Sequence, residues 1–368
     1  MVVDARTSKL AKLLVGYSAK VEPGDWVVIR GTAEATPLMH ELVRETLAAG
    51  GHPTVLWDDD QVSELLLRNG NDEQVTFVSP VDELTIGKAD ALIRIGAPQN
   101  TRALSGVDPA RQRLQQRARR PLFDEYLRRG DAGELNWVVT QYPCPALAQE
   151  ADMGLADFAD FVFGATLVDR EDPIAEWQQL HDMQERLVEW LAGKKHVEVR
   201  GPNAELSLSI EGRTFVNSDG HHNMPSGEIF TGPVEDSVEG WIRFTYPAIH
   251  AGREVEGIRL AFEDGVVTEA SADKNEAYLQ TLIDSDEGAR RVGEFAVGTN
   301  DGITRFTKSI LFDEKIGGTI HMALGAGYPS TGSVNESAIH WDMICDMRDG
   351  SEILVDGERF YRNGRFEV

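Results

Sequence analysis

Strand-like and helix-like segments alternate through the first half of this 368-residue chain, and this alternation constrains the fold more than any other feature. A helical pattern over 36–49 is flanked by apolar runs that are typical of buried strands. These runs occupy 26–29, 53–57, 91–95 and 136–140. Strands that alternate with helices form βαβ units. We therefore predict an α/β N-terminal domain with a mainly parallel sheet covered on both faces.

The pattern changes after a long helix predicted over 173–193, which begins at a proline and ends at a glycine. Strict alternation of apolar and polar residues follows, as in half-buried antiparallel strands. The alternating segments are 196–200, 205–210, 257–262 and 352–356. Asp264-Gly265 and Asp356-Gly357 are typical hairpin turns. We predict a domain boundary near residue 190, with an α/β domain over 1–190 and an α+β domain of mostly antiparallel strands over 191–368.

Composition excludes several classes of partner and compartment. The 36 Lys and Arg against 61 Asp and Glu give a net charge of −25, which disfavours nucleic acid or an anionic membrane as the main partner. Only two cysteines are present, and neither belongs to a C-x-x-C motif, so a reducing compartment is expected. The first residues lack a secretory signal pattern, and no apolar stretch reaches the roughly 18 residues of a membrane span. We therefore expect a cytoplasmic protein.

One basic segment interrupts the acidic chain, between 111 and 129. It carries many arginines but few aromatic residues, and Asp124 and Glu125 interrupt it. Nucleic-acid binding usually combines basic and aromatic side chains. We therefore predict a solvated helix face whose arginines pair with nearby carboxylates.

Common catalytic motifs are absent from the sequence, including the G-x-S-x-G elbow, the P-loop and H-E-x-x-H. The second half instead concentrates metal-ligand residue types. His340 and Asp342 are two residues apart in an extended segment and would point to the same face. Such a pair suits a divalent metal of the Zn, Co, Mn or Fe type. His321 lies on an otherwise apolar strand, where it is either a core histidine or a third ligand.

Three glutamates occur in comparable settings. Glu228 lies between turn residues, Glu294 lies in a short apolar run, and Glu314 precedes the strand that holds His321. A bare carboxylate in an apolar run is costly to bury. With Asp342, these residues and the two histidines form a set of four carboxylates and two imidazoles. That set is complete for two divalent cations with positions left for water and substrate.

The segments that carry these residues resemble the metallo-aminopeptidase family of aminopeptidase T, aminopeptidase S and PepS. The matching motifs are Gly-Glu-Ile-Phe-Thr-Gly-Pro (227–233), Gly-Glu-Phe-Ala-Val-Gly-Thr-Asn (293–300), Asp-Glu-Lys-Ile-Gly-Gly-Thr-Ile-His-Met-Ala-Leu-Gly (313–325) and His-Trp-Asp-Met-Ile-Cys-Asp (340–346). They occur in the family's order, and the N-terminal pattern agrees with its first domain.

The resemblance implies an α+β C-terminal catalytic domain with a dinuclear site and two divalent ions per chain (Zn, Co or Mn). The implied metal ligands are Glu228, Glu294, Glu314, His321, His340 and Asp342. The implied active-site tyrosine is Tyr328, in Gly327-Tyr-Pro. A homodimer is also implied, together with short peptides with a free N-terminus as substrates.

Peptide hydrolysis by such a site needs a nucleophile at neutral pH, and metal binding lowers the pKa of water to about 7. We favour Glu294 as the carboxylate that bridges the two ions. Tyr328 would donate a hydrogen bond to the tetrahedral oxyanion. The proton shuttle to the leaving amine is either Glu228 or Glu294, and the sequence does not decide between them.

Two other functions are compatible with the same residues. A 2-His-1-carboxylate iron site made by His321, His340 and Asp342 would suit a ring-cleaving dioxygenase on the same scaffold. It would leave the three glutamates without a role. An inactive homologue that only binds peptides is the third hypothesis, although every ligand type is still chemically competent.

Overall fold

The structure, a computed structural model, describes residues 4–250 and 252–368. In chain order its helices are α1 (Ala5–Leu13), α2 (Thr36–Ala48), α3 (Asp60–Asn69), α4 (Asp72–Thr76), α5 (Pro80–Lys88), α6 (Pro109–Asp131), α7 (Pro145–Glu150), α8 (Leu155–Ala165), α9 (Pro173–Leu191), α10 (Glu276–Ile283) and α11 (Ile310–Asp313). In the described residues, no helix is both long and apolar enough to cross a membrane.

The strands alternate with the helices in the first part of the chain and predominate in the second. They are β1 (Trp26–Gly31), β2 (His52–Trp57), β3 (Ala91–Gly96), β4 (Asn136–Gln141), β5 (His196–Gly201), β6 (Ala204–Ser209), β7 (Val216–Ser218), β8 (Asn223–Met224), β9 (Glu228–Thr231), β10 (Glu239–Arg243), β11 (Ala248–His250), β12 (Arg253–Val255), β13 (Arg259–Glu263), β14 (Val266–Ser271), β15 (Val292–Gly298), β16 (Thr319–Gly325), β17 (His340–Asp346), β18 (Glu352–Val355), β19 (Glu358–Arg362) and β20 (Arg365–Phe366).

The described residues form two compact units. One comprises the residues up to Ile174 together with Gly220–Pro225, and the other comprises Ala175–Asp219 and Ser226–Val368. The units therefore divide the chain within the first turn of α9 and again around β8. The domain boundary near residue 190 stays a prediction.

The first unit contains a five-stranded sheet in the order β2-β1-β3-β4-β8. Every neighbouring pair is parallel. The strands form because their β-branched and apolar residues are buried, as Val28 and Leu92 are beside Ala89 and Leu135. The prediction of an α/β domain with a parallel sheet is confirmed.

Helix α6 contains the arginine-rich segment. Asp108 caps its first turn by accepting a hydrogen bond from Ala110 N, and Pro109 occupies a position where no amide donor is needed. Arg119 pairs with Asp82 at 2.7 Å, and Arg120 pairs with Asp124 at 2.6 Å. The predicted pairing of these arginines with carboxylates is confirmed.

Antiparallel sheets dominate the second unit. One has eight strands in the order β14-β13-β10-β6-β5-β18-β19-β20, and another has five in the order β17-β16-β15-β9-β7. Their apolar faces share one core, which includes Ile242, Leu260, Phe295, Met322 and Met343. The predicted α+β C-terminal architecture is confirmed.

Two-residue turns join β13 to β14 and β18 to β19. Asp264, Gly265, Asp356 and Gly357 all have positive φ, between 50° and 80°. This is the backbone conformation that the twist of a tight hairpin requires. Both predicted Asp-Gly turns are confirmed.

Gly240 on β10 illustrates how closely the strands of the eight-stranded sheet approach each other. Its φ is +101°, and a Cβ there would lie 2.1 Å from the backbone oxygen of Glu205. We expect Gly240→Ala to lower the free energy of unfolding by about 3 kcal/mol, because conformational strain and overpacking add. Gly357→Ala is the matched control. Its φ is +80° with nothing within 4 Å, and we expect a loss of about 1 kcal/mol. Urea denaturation of both variants measures the difference, and equal losses would contradict the close approach.

Candidate metal centre

Five potential ligands lie on one face of the five-stranded antiparallel sheet of the second unit. Glu228 begins β9, Glu294 lies on β15, His321 lies on β16, and His340 and Asp342 lie on β17. Cross-strand partners in an antiparallel sheet share a face, and side chains two residues apart on one strand do so too. The observed register therefore brings these five side chains together.

Glycine or alanine occupies most of the positions directly opposite these candidate ligands. Glu228 opposes Gly298, and His321 opposes Ala296. Ala323 opposes both Glu294 and Asp342, from its two neighbouring strands. His340 in turn opposes Gly325. These four residues do not project beyond a methyl group, so the candidate ligand side chains can converge over the sheet surface. The two larger partners are Ser218, opposite Glu228, and Ile344, opposite His321.

The opposite face of the same strands is apolar. Phe295, Met322, Leu324, Trp341 and Met343 belong to the hydrophobic core of the second unit. Alternation along each strand thus separates a polar face from a buried one. This packing holds the backbone of the ligand-bearing strands rigidly, as a preorganised site requires.

The side chains form two ligand groups that share Glu294. In the first, His321 Nε2 lies 3.1 Å from Glu294 Oε1 and 3.4 Å from Glu228 Oε2. In the second, His340 Nε2 lies 3.3 Å from Glu294 Oε2 and 3.5 Å from Asp342 Oδ1. Within each group, ligand atoms lie within 4.8 Å of one another. Glu294 therefore directs one carboxylate oxygen to each group.

Glu314 joins the cluster from the end of α11 and forms a third possible group with His321 and Asp342. Its neighbour Lys315 is fully buried. The Lys315 ammonium forms an ion pair with Glu314 and lies 3.5 Å from Glu228 Oε1. No role for Lys315 was predicted from the sequence, because a lysine beside acidic residues usually lies on the surface.

Two carboxylate oxygens in the cluster lack a hydrogen-bond partner and fit a bound cation. Among the described residues, Glu228 Oε2 and Asp342 Oδ1 are buried side-chain oxygens without a hydrogen-bond partner. Buried polar atoms normally have such a partner, and a buried carboxylate without one is costly. Carboxylate and imidazole together suit divalent Zn, Co or Mn. The donor set therefore fits divalent metal ions.

The carboxylates and imidazoles of the cluster shift one another's pKa values. Burial acts to raise the pKa of Glu294, but hydrogen bonds with His321 and His340 hold that pKa below its usual value. Burial opposes ionisation of Asp342 too, yet the charge of His340 lowers its pKa to about 2.

Glu314 and His321 have raised pKa values. Burial is the main cause for Glu314, whose pKa rises to about 8. Burial acts to lower the pKa of His321, but hydrogen bonding to Glu294 and the neighbouring carboxylate charges raise it to about 10. Without a metal ion, protons on the histidines therefore balance part of the negative charge. An entering ion has to displace them.

His340 is oriented by the backbone. Its Nδ1 lies 2.7 Å from the carbonyl oxygen of Ala326 and donates a hydrogen bond to it. The Nε2 atom therefore faces Glu294 and Asp342. Histidines that bind metals are commonly fixed in this way through their second nitrogen.

Tyr328 lies beside the cluster. Its ring centroid is 5.1 Å from that of His340 and 5.4 Å from that of Phe230. The residue is 44% exposed, so solvent and ligands can reach it. Phe230 shares the ligand face of β9 with Glu228, and the sequence analysis did not identify it. Its position two residues after Glu228 on a strand was the available signal.

Gln184 is a third residue, after Lys315 and Phe230, that was not identified from the sequence. It is fully buried on α9, and its Nε2 donates to the backbone oxygen of Glu228 at 3.1 Å. Its Oε1 accepts from Thr299 Oγ1 at 2.7 Å. Gln184 thus ties the start of β9 to the residue after β15. A glutamine on an amphipathic helix gives no signal of such a contact.

The whole chain is similar to known metalloproteases. A family model described as thermophilic metalloprotease (M29) matches residues 3–366. Aminopeptidase 2 of Geobacillus stearothermophilus is 28% identical over 409 residues, covering 99% of this chain and 98% of the relative. Aminopeptidase T of Thermus aquaticus is 28% identical over 407 residues, covering 98% of each chain. The solved structure of wild-type AmpT from Thermus thermophilus aligns with a TM-score of 0.86 at 25% identity, covering 99% of each chain.

The small residues between the ligands yield a testable consequence. Ala323→Val would add two methyl groups opposite Glu294 and Asp342, so we expect metal binding to weaken by at least about tenfold. Ala204→Val, at a buried strand position in the other sheet, is the matched control for overpacking. Both variants should lose about 1–3 kcal/mol of stability. Calorimetric metal titration should separate them, and unchanged affinity in Ala323→Val would contradict the role of the small residues.

Proposed function

The chain belongs to the thermophilic metalloprotease family M29, and we propose that it is a dinuclear aminopeptidase that releases N-terminal amino acids from short peptides. The enzyme class, a metallo-aminopeptidase, follows from the family and from relatives named as aminopeptidases. The observation that carries the dinuclear assignment is the pair of ligand groups that share Glu294.

We propose that one ion is held by Glu228, Glu294 and His321 and the other by Glu294, His340 and Asp342. Glu314 is proposed as a further ligand, beside His321 and Asp342. When bound, such ions lower the pKa of a water so that it attacks as hydroxide at neutral pH, and they polarise the scissile carbonyl. The proposed ions are Zn, Co or Mn. Their identity, the homodimer and the cytoplasmic location stay predictions.

The protein's own residues supply positioning and proton transfer in this proposal. Glu294 fixes the separation of the two ligand groups, because each of its oxygens faces a different histidine. Glu228 or Glu294 accepts the proton of the nucleophile and returns it to the leaving amine.

Tyr328 is proposed to donate a hydrogen bond to the oxyanion of the tetrahedral intermediate. Partial desolvation and the negative charges of Glu294 and Asp342 raise the pKa of the phenol, so it keeps its proton at neutral pH. A donor aimed at the developing charge stabilises the transition state more than the substrate.

Peptide cleavage tests the function directly. We expect the metal-loaded protein to release the first residue of unblocked di- and tripeptides and to leave N-acetylated ones uncut. Activity should disappear with chelator and return with Co, Zn or Mn.

The variant Glu294→Gln should have at least about a hundredfold lower peptidase activity, since a ligand shared by both proposed ions is removed. Glu358→Gln, at an exposed position on β19, is the matched control. If the metal-loaded protein left all the unblocked di- and tripeptides uncut, the proposed aminopeptidase activity would be excluded.

Removing one hydroxyl tests the role of Tyr328. We expect Tyr328→Phe to lower kcat by about 10²–10³ with KM little changed, because the lost hydrogen bond forms mainly in the transition state. Tyr361→Phe, at a buried position on β19 of the other sheet, should leave both constants unchanged. Steady-state kinetics on one dipeptide measures both variants. A rise in KM with kcat unchanged would assign Tyr328 to substrate binding instead.

A further inference from the structure

Lys315 is a fully buried lysine within the metal-ligand cluster. It lies between α11 and β16, and its ammonium contacts two carboxylates, those of Glu228 and Glu314. These two ion pairs place a positive charge inside the site. Because Lys315 is inaccessible, it acts on the cluster and not on a peptide.

The two oxygens of Glu228 have different surroundings. Oε1 lies 3.5 Å from the Lys315 ammonium, whereas Oε2 lies 3.4 Å from His321 Nε2 and has no hydrogen-bond partner among the described residues. Lys315 thus engages one oxygen and leaves the other directed into the cluster. Glu228 can offer a single oxygen to a metal ion in this arrangement.

The second ligand group has no such partner. Among residues 4–250 and 252–368, the ion pairs of Glu294 and Asp342 are formed with histidines only. Histidines lose their protons when they bind a metal, whereas Lys315 is not among the candidate ligands. The ammonium of Lys315 forms ion pairs with Glu228 and Glu314. It also helps to lower the pKa of Asp342, but without an ion pair, so its charge acts more directly on the group with Glu228 and His321.

We propose that Lys315 makes the two metal positions unequal, so that the ion held by Glu228, Glu294 and His321 binds more weakly than the ion held by Glu294, His340 and Asp342. This inference rests on the proposed dinuclear site. A unit charge a few ångströms from a divalent ion changes its affinity by about tenfold or more, even at an effective dielectric constant of 20. Lys315 is in this sense a positioning residue, which reduces affinity for one ion while it orients a ligand of that ion.

Calorimetric titration of the metal-free full chain with Zn²⁺ tests the proposal. We expect two binding steps whose dissociation constants differ at least about tenfold. Asp342→Asn should abolish the tighter step, and Glu228→Gln should abolish the weaker one. In Lys315→Met the weaker step should tighten at least about tenfold, while the tighter step changes less. Lys195→Met, which removes an exposed ammonium paired with Glu211, should leave both steps unchanged.

The results separate this inference from the proposed function. Two equal steps in the unaltered chain, or a weaker step lost in Asp342→Asn, would overturn the role of Lys315 whether or not Lys315→Met folds. A weaker step that loosens or stays the same in a folded Lys315→Met or Lys315→Gln variant would overturn it too. Binding of one ion, or none, would contradict the dinuclear site itself. Circular dichroism establishes folding in each variant.

Discussion

The burial of several carboxylates and imidazoles on one sheet face is the constraint on which the rest of this structure depends. Unpaired charges out of water cost several kcal/mol each, and like charges at short range add to that cost. Protons on His321 and His340 and the ammonium of Lys315 offset part of it. Glu228 and Asp342 each still bear a buried oxygen without a hydrogen-bond partner. Bound cations would coordinate these two oxygens and replace the protons on the histidines.

The architecture of the second unit meets this constraint with an antiparallel sheet. Alternation directs one face to a hydrophobic core and the other to the ligands, while register aligns ligands from β9, β15, β16 and β17. Glycine or alanine at most of the positions opposite the candidate ligands leaves room for their side chains on the polar face. Stability and site geometry thus depend on the same strands. The core holds the backbone in place, and the backbone sets the separation of the two histidines that face Glu294.

Sequence patterns were sufficient to predict a parallel sheet in the first part of the chain and antiparallel sheets in the second. Strands buried on both faces and strands buried on one face have different hydrophobic periodicities. The patterns did not reveal that β8, a strand of two residues, would join the parallel sheet, since so short a segment has no period. The candidate ligands were selected from their motifs, but their common face depends on register between distant strands. Lys315 was missed because a lysine directly after a glutamate is typical of a surface segment, whereas its contact with Glu228 joins positions far apart in the sequence.

The central claim is that Glu294 is shared by two metal ions. The most direct measurement is an anomalous diffraction map, recorded at the absorption edge of the loaded metal, from crystals of the metal-replete protein. The account predicts two peaks, one beside Glu228 and His321 and one beside His340 and Asp342, with a carboxylate oxygen of Glu294 on each. A single peak bound by His321, His340 and Asp342, with Glu228 unengaged, would contradict it and would favour the mononuclear iron site of a dioxygenase.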